Sequence, residues 1–180
     1  GLNHHNFLLL DEQGLGKTLQ LLTLARYKKQ HRHLKHCLII CGLNSLKFNW
    51  VKEVHKFCKD EDAIVLGTRV NTRGNIVNMS IEETKQQIDS CPNEFFCIIN
   101  IEKIRLSDTD DKAKTGIVNH FNEQIELGNL GMVVCDEIHK CRNAQSQQGK
   151  GLMAFDSKAD RIGMTGTLLV NNPYDLYTPM

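Results

Sequence analysis

The stretch NFLLLDEQGLGKTLQ, residues 6–20, decides the fold. An apolar run, Phe7–Leu10, meets the carboxylate pair Asp11 and Glu12, then Gly14-Leu15-Gly16-Lys17-Thr18, then a leucine-rich segment. Such a turn, leaving a strand and entering a helix, has the context of a phosphate-binding loop. Glycines let the backbone wrap close, and amide N–H groups at the helix N-terminus face the anion. Lys17 would reach the β- and γ-phosphates, and Thr18 would hold Mg²⁺. The general pattern G-x-x-x-x-G-K-[ST] has glycine where Asp11 stands. The segment is therefore a damaged nucleotide site, a coincidence, or a nucleotide site of a particular kind.

Outward from this loop, short continuous apolar runs recur at Cys37–Cys41, Ala63–Leu66, Phe95–Ile99 and Met132–Cys135. Runs without polar alternation fit strands buried on both faces of a parallel sheet. The spacing predicts helices over Thr18–Gln30, Leu46–Phe57 and Ile117–Leu127, with Gly128 as a C-terminal cap. Trp50 falls on the apolar face with Leu46, Val54 and Phe57, a core position rather than a base-stacking platform. Arg69–Pro92 is polar and mixed, suited to loops and one short helix, and Ser107–Lys114 to an exposed loop. Alternating strands and helices argue for one α/β domain, doubly wound around a mostly parallel sheet.

Composition narrows the function by exclusion. Of the 180 residues, 41% are hydrophobic and 24% charged, and Lys plus Arg (22) nearly balances Asp plus Glu (21). Bulk charge thus gives no sign of nucleic acid, and any DNA contact must be local. No apolar run approaches the length of a membrane span, and no secretory signal pattern stands at the first residues. The seven cysteines are odd in number and lack C-x-x-C spacing. Cys37, Cys41, Cys97 and Cys135 lie in or beside strand-like runs, as buried reduced thiols do. His31, His33, His36 and Cys37 cluster in HRHLKHC, but no second ligand pair stands at zinc spacing. Cationic side chains there suit a helix C-terminus instead.

A second signal is MVVCDEIHK, residues 132–140: another apolar strand delivering a carboxylate pair, Asp136 and Glu137. Ligands of open α/β sheets bind outside the carboxyl ends of strands, so this strand end and the Lys17 loop are expected in one crevice. There Asp136 would bind Mg²⁺ and Glu137 would orient or deprotonate the attacking water.

Taken in order, DEQGLGKT, DEIH and MTGTLLVNN resemble the motifs of the Swi/Snf-related ATPases among the superfamily-two helicases. Members commonly carry D-E-M-G-L-G-K-T, D-E-A-H and T-G-T-P-x-x-N-N, so Asp11 is what this family places before its glycines. The resemblance continues through Leu38–Phe57, like the family's C-P-x-S-L-x-x-N-W segment, through IHKCRN, with Arg142 where the family has lysine, and through Asn172–Tyr177. Gly42, Ile138 and Leu168 depart from the family's proline, alanine and proline, and none of them is a phosphate, metal or water ligand.

The resemblance implies a RecA-like P-loop NTPase fold spanning residues 1–180. It implies ATP and Mg²⁺ as cofactors, held by Asp11, Glu12, Gln13, Gly14, Leu15, Gly16, Lys17 and Thr18, with Thr18 and Asp136 on the metal. Lys17, Asp136 and Glu137 would be catalytic. His139, Thr165, Gly166 and Thr167 would couple nucleotide state to movement, and Asn44, Ser45 and Lys47 would touch the DNA backbone. The implied partners are double-stranded DNA, tracked without strand separation, and a second RecA-like lobe of the same protein. That lobe brings arginine fingers, typically worth ~10³–10⁵ in turnover, so the 180 residues alone are expected to hydrolyse ATP poorly. A cytoplasmic location and a bacterial or phage source are expected from the compact connections, or a nuclear one if the source is eukaryotic. Two other readings stay open: a stand-alone P-loop NTPase or small-molecule kinase, and a catalytically silent nucleotide-binding or docking lobe.

Overall fold

The computed structural model describes residues 5–42, 46–91, 93–105, 116–141 and 143–166. Along them run β1 (Asn6–Leu9), α1 (Lys17–Arg32), β2 (His36–Cys41), α2 (Leu46–Phe57), β3 (Ala63–Val65), β4 (Thr68–Val70) and β5 (Ile76–Asn78). The chain continues through α3 (Ile81–Asp89), β6 (Phe96–Asn100), α4 (Ile117–Glu126), β7 (Leu130–Asp136), α5 (Gln147–Met153) and β8 (Asp160–Met164), with 3-10 turns at Ile101–Ile104 and Ile138–Cys141. Six strands form one sheet in the order β1-β8-β7-β2-β6-β3, with every pairing parallel. The strands β4 and β5 make a separate antiparallel hairpin.

The continuous apolar runs are explained by two cores, one on each face of the sheet. In β2, Cys37, Ile39 and Cys41 join one core while Leu38 and Ile40 join the other. Strands β6 and β7 divide the same way, Ile98 and Val134 opposite Ile99 and Val133. Side chains alternate faces along a strand, so burial on both faces requires apolar residues at every position. Helices α1 and α2 cover the first face with Leu21, Leu22, Ala25, Trp50 and Val54. On the other, α4 places Ile117, Val118, Phe121 and Ile125 against the sheet. Gly128, at φ 72°, ends that helix turn and donates its N–H to the Ile125 carbonyl, as a left-handed cap does.

Three elements depart from the sequence expectation. Besides the short helix α3, capped reciprocally by Ser80 and Glu83, the Arg69–Pro92 stretch contains a hairpin strand. Strands β4 and β5 have three residues each, too few for an alternation to show. Strand β8 breaks its apolar run with Asp160 and Gly163. Buried Asp160 is offset by the equally buried Lys28 at 2.5 Å, with Arg32 at 3.2 Å and His5 at 2.6 Å. Lys28, an apparently ordinary basic residue near a helix end, is thus fully buried and ties α1 to β8. The Ser107–Lys114 loop lies outside the described residues.

Candidate nucleotide site

The crossing from β1 to α1 builds the first wall. Gly14 and Gly16 have φ of 86° and 77°, a conformation in which a side chain is strained. A Cβ built at either glycine meets no atom within 4 Å, so the loop faces open space. Gly16 caps α1 with no side-chain hydrogen bond, and the first turn carries no acidic residue. N–H groups at such a helix start, with the positive end of its dipole, favour an anion. Lys17 Nζ donates to the carbonyl oxygens of Asp11 and Glu12, both at 2.7 Å. Asp11 earns its place: its carboxylate accepts from Gln20 Nε2 at 2.9 Å and ties the loop to the helix. Glu12, Gln13 and Leu15 are exposed, and Thr18 is half-buried at the helix start.

The second wall is the carboxyl end of β7. Burial raises the pKa of Asp136, and the nearby Glu137 charge adds to the rise. A hydrogen bond from Trp50 and the Lys17 ammonium work against it. Trp50 Nε1 donates to Asp136 Oδ2 at 3.0 Å, although the indole is otherwise a core residue. The chain then turns through Glu137 at φ 54°. That conformation costs a non-glycine residue of order 1–3 kcal/mol.

Strand β8 lies between β1 and β7 and closes the crevice. Buried Thr165 donates its N–H to the Leu9 carbonyl at 3.2 Å, joining the start of the phosphate-loop crossing. Its hydroxyl donates to Glu137 Oε2 at 3.3 Å, and His139 Nδ1 lies 2.9 Å from that hydroxyl and 3.1 Å from the carboxylate. With Nδ1 protonated, His139 donates to both and fixes the Glu137 carboxylate. A Cβ on Gly166 would come 2.9 Å from Gln13 Cγ and 3.3 Å from Lys17 Nζ. The end of β8 therefore touches both walls.

The structure thus gathers Asp11–Thr18, Asp136, Glu137, His139, Thr165 and Gly166 at one edge of the sheet. Thr167, Asn44, Ser45 and Arg142 lie outside the described residues. Lys47 is 5% exposed and lies near Cys41, with its pKa lowered first by burial. Trp50 was legible as core but not as the donor to Asp136, because a contact across 86 positions leaves no local signal. The oxygens of Thr18 and Asp136, beside an anion-binding loop, are the hard donors Mg²⁺ prefers, so these residues fit ATP with Mg²⁺. Among the described residues, no helix is long and apolar enough to cross a membrane.

Fold and crevice together define an α/β domain of the RecA-like type. The family described as SNF2-related domain matches residues 2–180, and the chain belongs to it. It is similar to a Caenorhabditis elegans protein named as a SWI/SNF-related, matrix-associated, actin-dependent regulator of chromatin containing DEAD/H box 1, at 29% identity over 97% of this chain. Human DNA repair and recombination protein RAD54-like is 25% identical over the same share. The chain spans 16% of the first relative and 22% of the second. The Sulfolobus solfataricus SWI2/SNF2 ATPase core, solved in complex with double-stranded DNA, superposes with a TM-score of 0.62 at 23% identity, over 96% of this chain and 30% of that one. These relatives are animal and archaeal and lend no support to a bacterial or phage source.

Proposed function

We propose that this chain is the first motor lobe of an ATPase that moves along double-stranded DNA. One observation carries the reading: the end of β8 contacts the phosphate loop through Gly166 and the carboxylate wall through Thr165. A strand end joined to both walls is suited to turning a change at the nucleotide into a displacement.

In this reading the N–H groups from Gly14 to Thr18 bind the phosphates and Lys17 neutralises their charge. Thr18 and Asp136 hold Mg²⁺, with Asp136 oriented by the Trp50 indole. Glu137, held by His139 and Thr165, orients a water and accepts its proton. Bound ATP with Mg²⁺ supplies the phosphoanhydride that is broken. Thr167 extends the coupling segment, and Asn44 and Ser45 are the backbone-contact candidates on this lobe. DNA as partner is supported by the family and by the complex in which the similar archaeal core was solved. A second RecA-like lobe completes the site with arginine.

The test is ATP hydrolysis by the intact protein with and without double-stranded DNA across a salt series. Stimulation that fades as salt rises is expected, because backbone binding releases counterions. Nucleotide binding with no DNA response would refute the motor reading and leave a silent or stand-alone P-loop domain. Phosphoryl transfer to a small acceptor would mark a kinase.

A further inference from the structure

Away from the nucleotide crevice, at the amino-terminal ends of β2 and β6, His36, Cys91 and Cys97 converge. Their candidate ligand atoms all lie within 4.8 Å of one another. His36 opens β2, Cys97 is the second residue of the adjacent strand β6, and Cys91 follows α3. His36 shares the alternation of Leu38 and Ile40, which puts it on the same sheet face as Cys97. Both cysteines are buried and unoxidised.

We propose that these three residues form a zinc site, with the fourth position left to water. The sulfur separation is the first argument. With Zn–S bonds of about 2.3 Å, two thiolates at vertices of a tetrahedron stand about 3.8 Å apart. Cys91 Sγ and Cys97 Sγ lie 3.8 Å apart. A disulfide would require them to close to about 2.05 Å. The surrounding donors are the second. Glu94 Oε2 is 3.6 Å from Cys91 Sγ. The Glu94 carbonyl lies 2.8 Å from His36 Nδ1 and 3.9 Å from Cys97 Sγ. With the Nδ1 hydrogen on that carbonyl, Nε2 keeps its lone pair, the arrangement usual around metal-bound histidine. Two thiols and an imidazole favour zinc over the hard cation of the nucleotide site. The metal would join the ends of β2 and β6 to the segment after α3, three points separated by up to 61 positions (97 minus 36).

The test uses the full chain, reduced and freed of metal, titrated with Zn²⁺ and with Co²⁺ as a spectroscopic probe. Stoichiometric binding is expected, with thiolate-to-cobalt charge-transfer absorption, tetrahedral d–d bands and release of about two protons per metal as the thiols ionise. Cys91→Ser and His36→Asn should each weaken binding at least tenfold, while Cys58→Ser, outside the cluster, should leave it unchanged. Cys91→Ser is a buried change, so His36→Asn, at a half-buried position, keeps the test decisive if that variant fails to fold. No retained metal, an octahedral cobalt spectrum, or equal binding by wild type and His36→Asn would overturn the site. A Cys91–Cys97 disulfide forming in air, without metal binding by the reduced chain, would overturn it in favour of a thiol pair.

Discussion

Replacing Trp50 by Phe keeps an aromatic ring in the core and removes one N–H, the one that reaches Asp136 Oδ2. A hydrogen bond to a charged group contributes about 1.5–3 kcal/mol and a neutral one about 0.5–1.5 kcal/mol. Asp136→Asn keeps an acceptor for the indole but removes the charge. A double-mutant cycle over these two positions cancels the lost ring volume and isolates the charged part of the bond, about 1–1.5 kcal/mol. For a chain of this size that is a coupling of about 2–6 °C in Tm, read by calorimetry on the four variants.

The sign of the pH dependence is fixed by the direction of the Asp136 shift. Its folded pKa lies above the ordinary 3.8, chiefly through burial. Ionised Asp136 therefore destabilises the folded state fully above the folded pKa, and this cost vanishes below the unfolded value. Asp136→Asn should raise Tm at neutral pH and lose that advantage as pH falls through the folded pKa. The coupling to Trp50 should shrink over the same window. Effects that add within about 0.3–0.5 kcal/mol at neutral pH would refute the claim that the indole serves this carboxylate.

Lys17→Ala in the intact protein should cost at least tenfold in ATP affinity while leaving Tm nearly unchanged, checked by nucleotide titration; unaltered ATPase activity would remove the loop from the site. Glu137→Gln should keep ATP and Mg²⁺ binding and lower turnover by about 10²–10⁴, measured under single-turnover conditions. Asp160→Ala leaves buried Lys28 without its carboxylate, which costs about 3–5 kcal/mol. Lys28→Met should cost less, since Arg32 and His5 still meet Asp160. Chemical denaturation compares the pair, and a larger loss in Lys28→Met would contradict the assignment.

Much of the architecture was legible because it rests on local pattern. Strands β2, β6 and β7 are buried on both faces, and only uninterrupted apolar runs survive there. Gly14, Gly16 and Gly128 mark backbone turns that few other residues adopt, so the loop and the α4 terminus were visible as well. What escaped depended on distant pairing. Strand β8 holds a carboxylate that no strand pattern allows until Lys28, 132 positions earlier, is brought against it. His36 was seen beside His31 and His33, its neighbours in sequence. The fold turns it instead toward Cys91 and Cys97, whose own separation fits no familiar metal spacing.

Lys17 commits two of its three ammonium hydrogens to the Asp11 and Glu12 carbonyls. A phosphate that draws on more than the third hydrogen must therefore exchange with these oxygens. Affinity at this loop is a difference between two occupied states, and weakly charged or single anions gain little from the swap. A triphosphate, with many oxygens to offer at once, gains most. The parked lysine thus acts as a threshold, giving the loop some discrimination of its own.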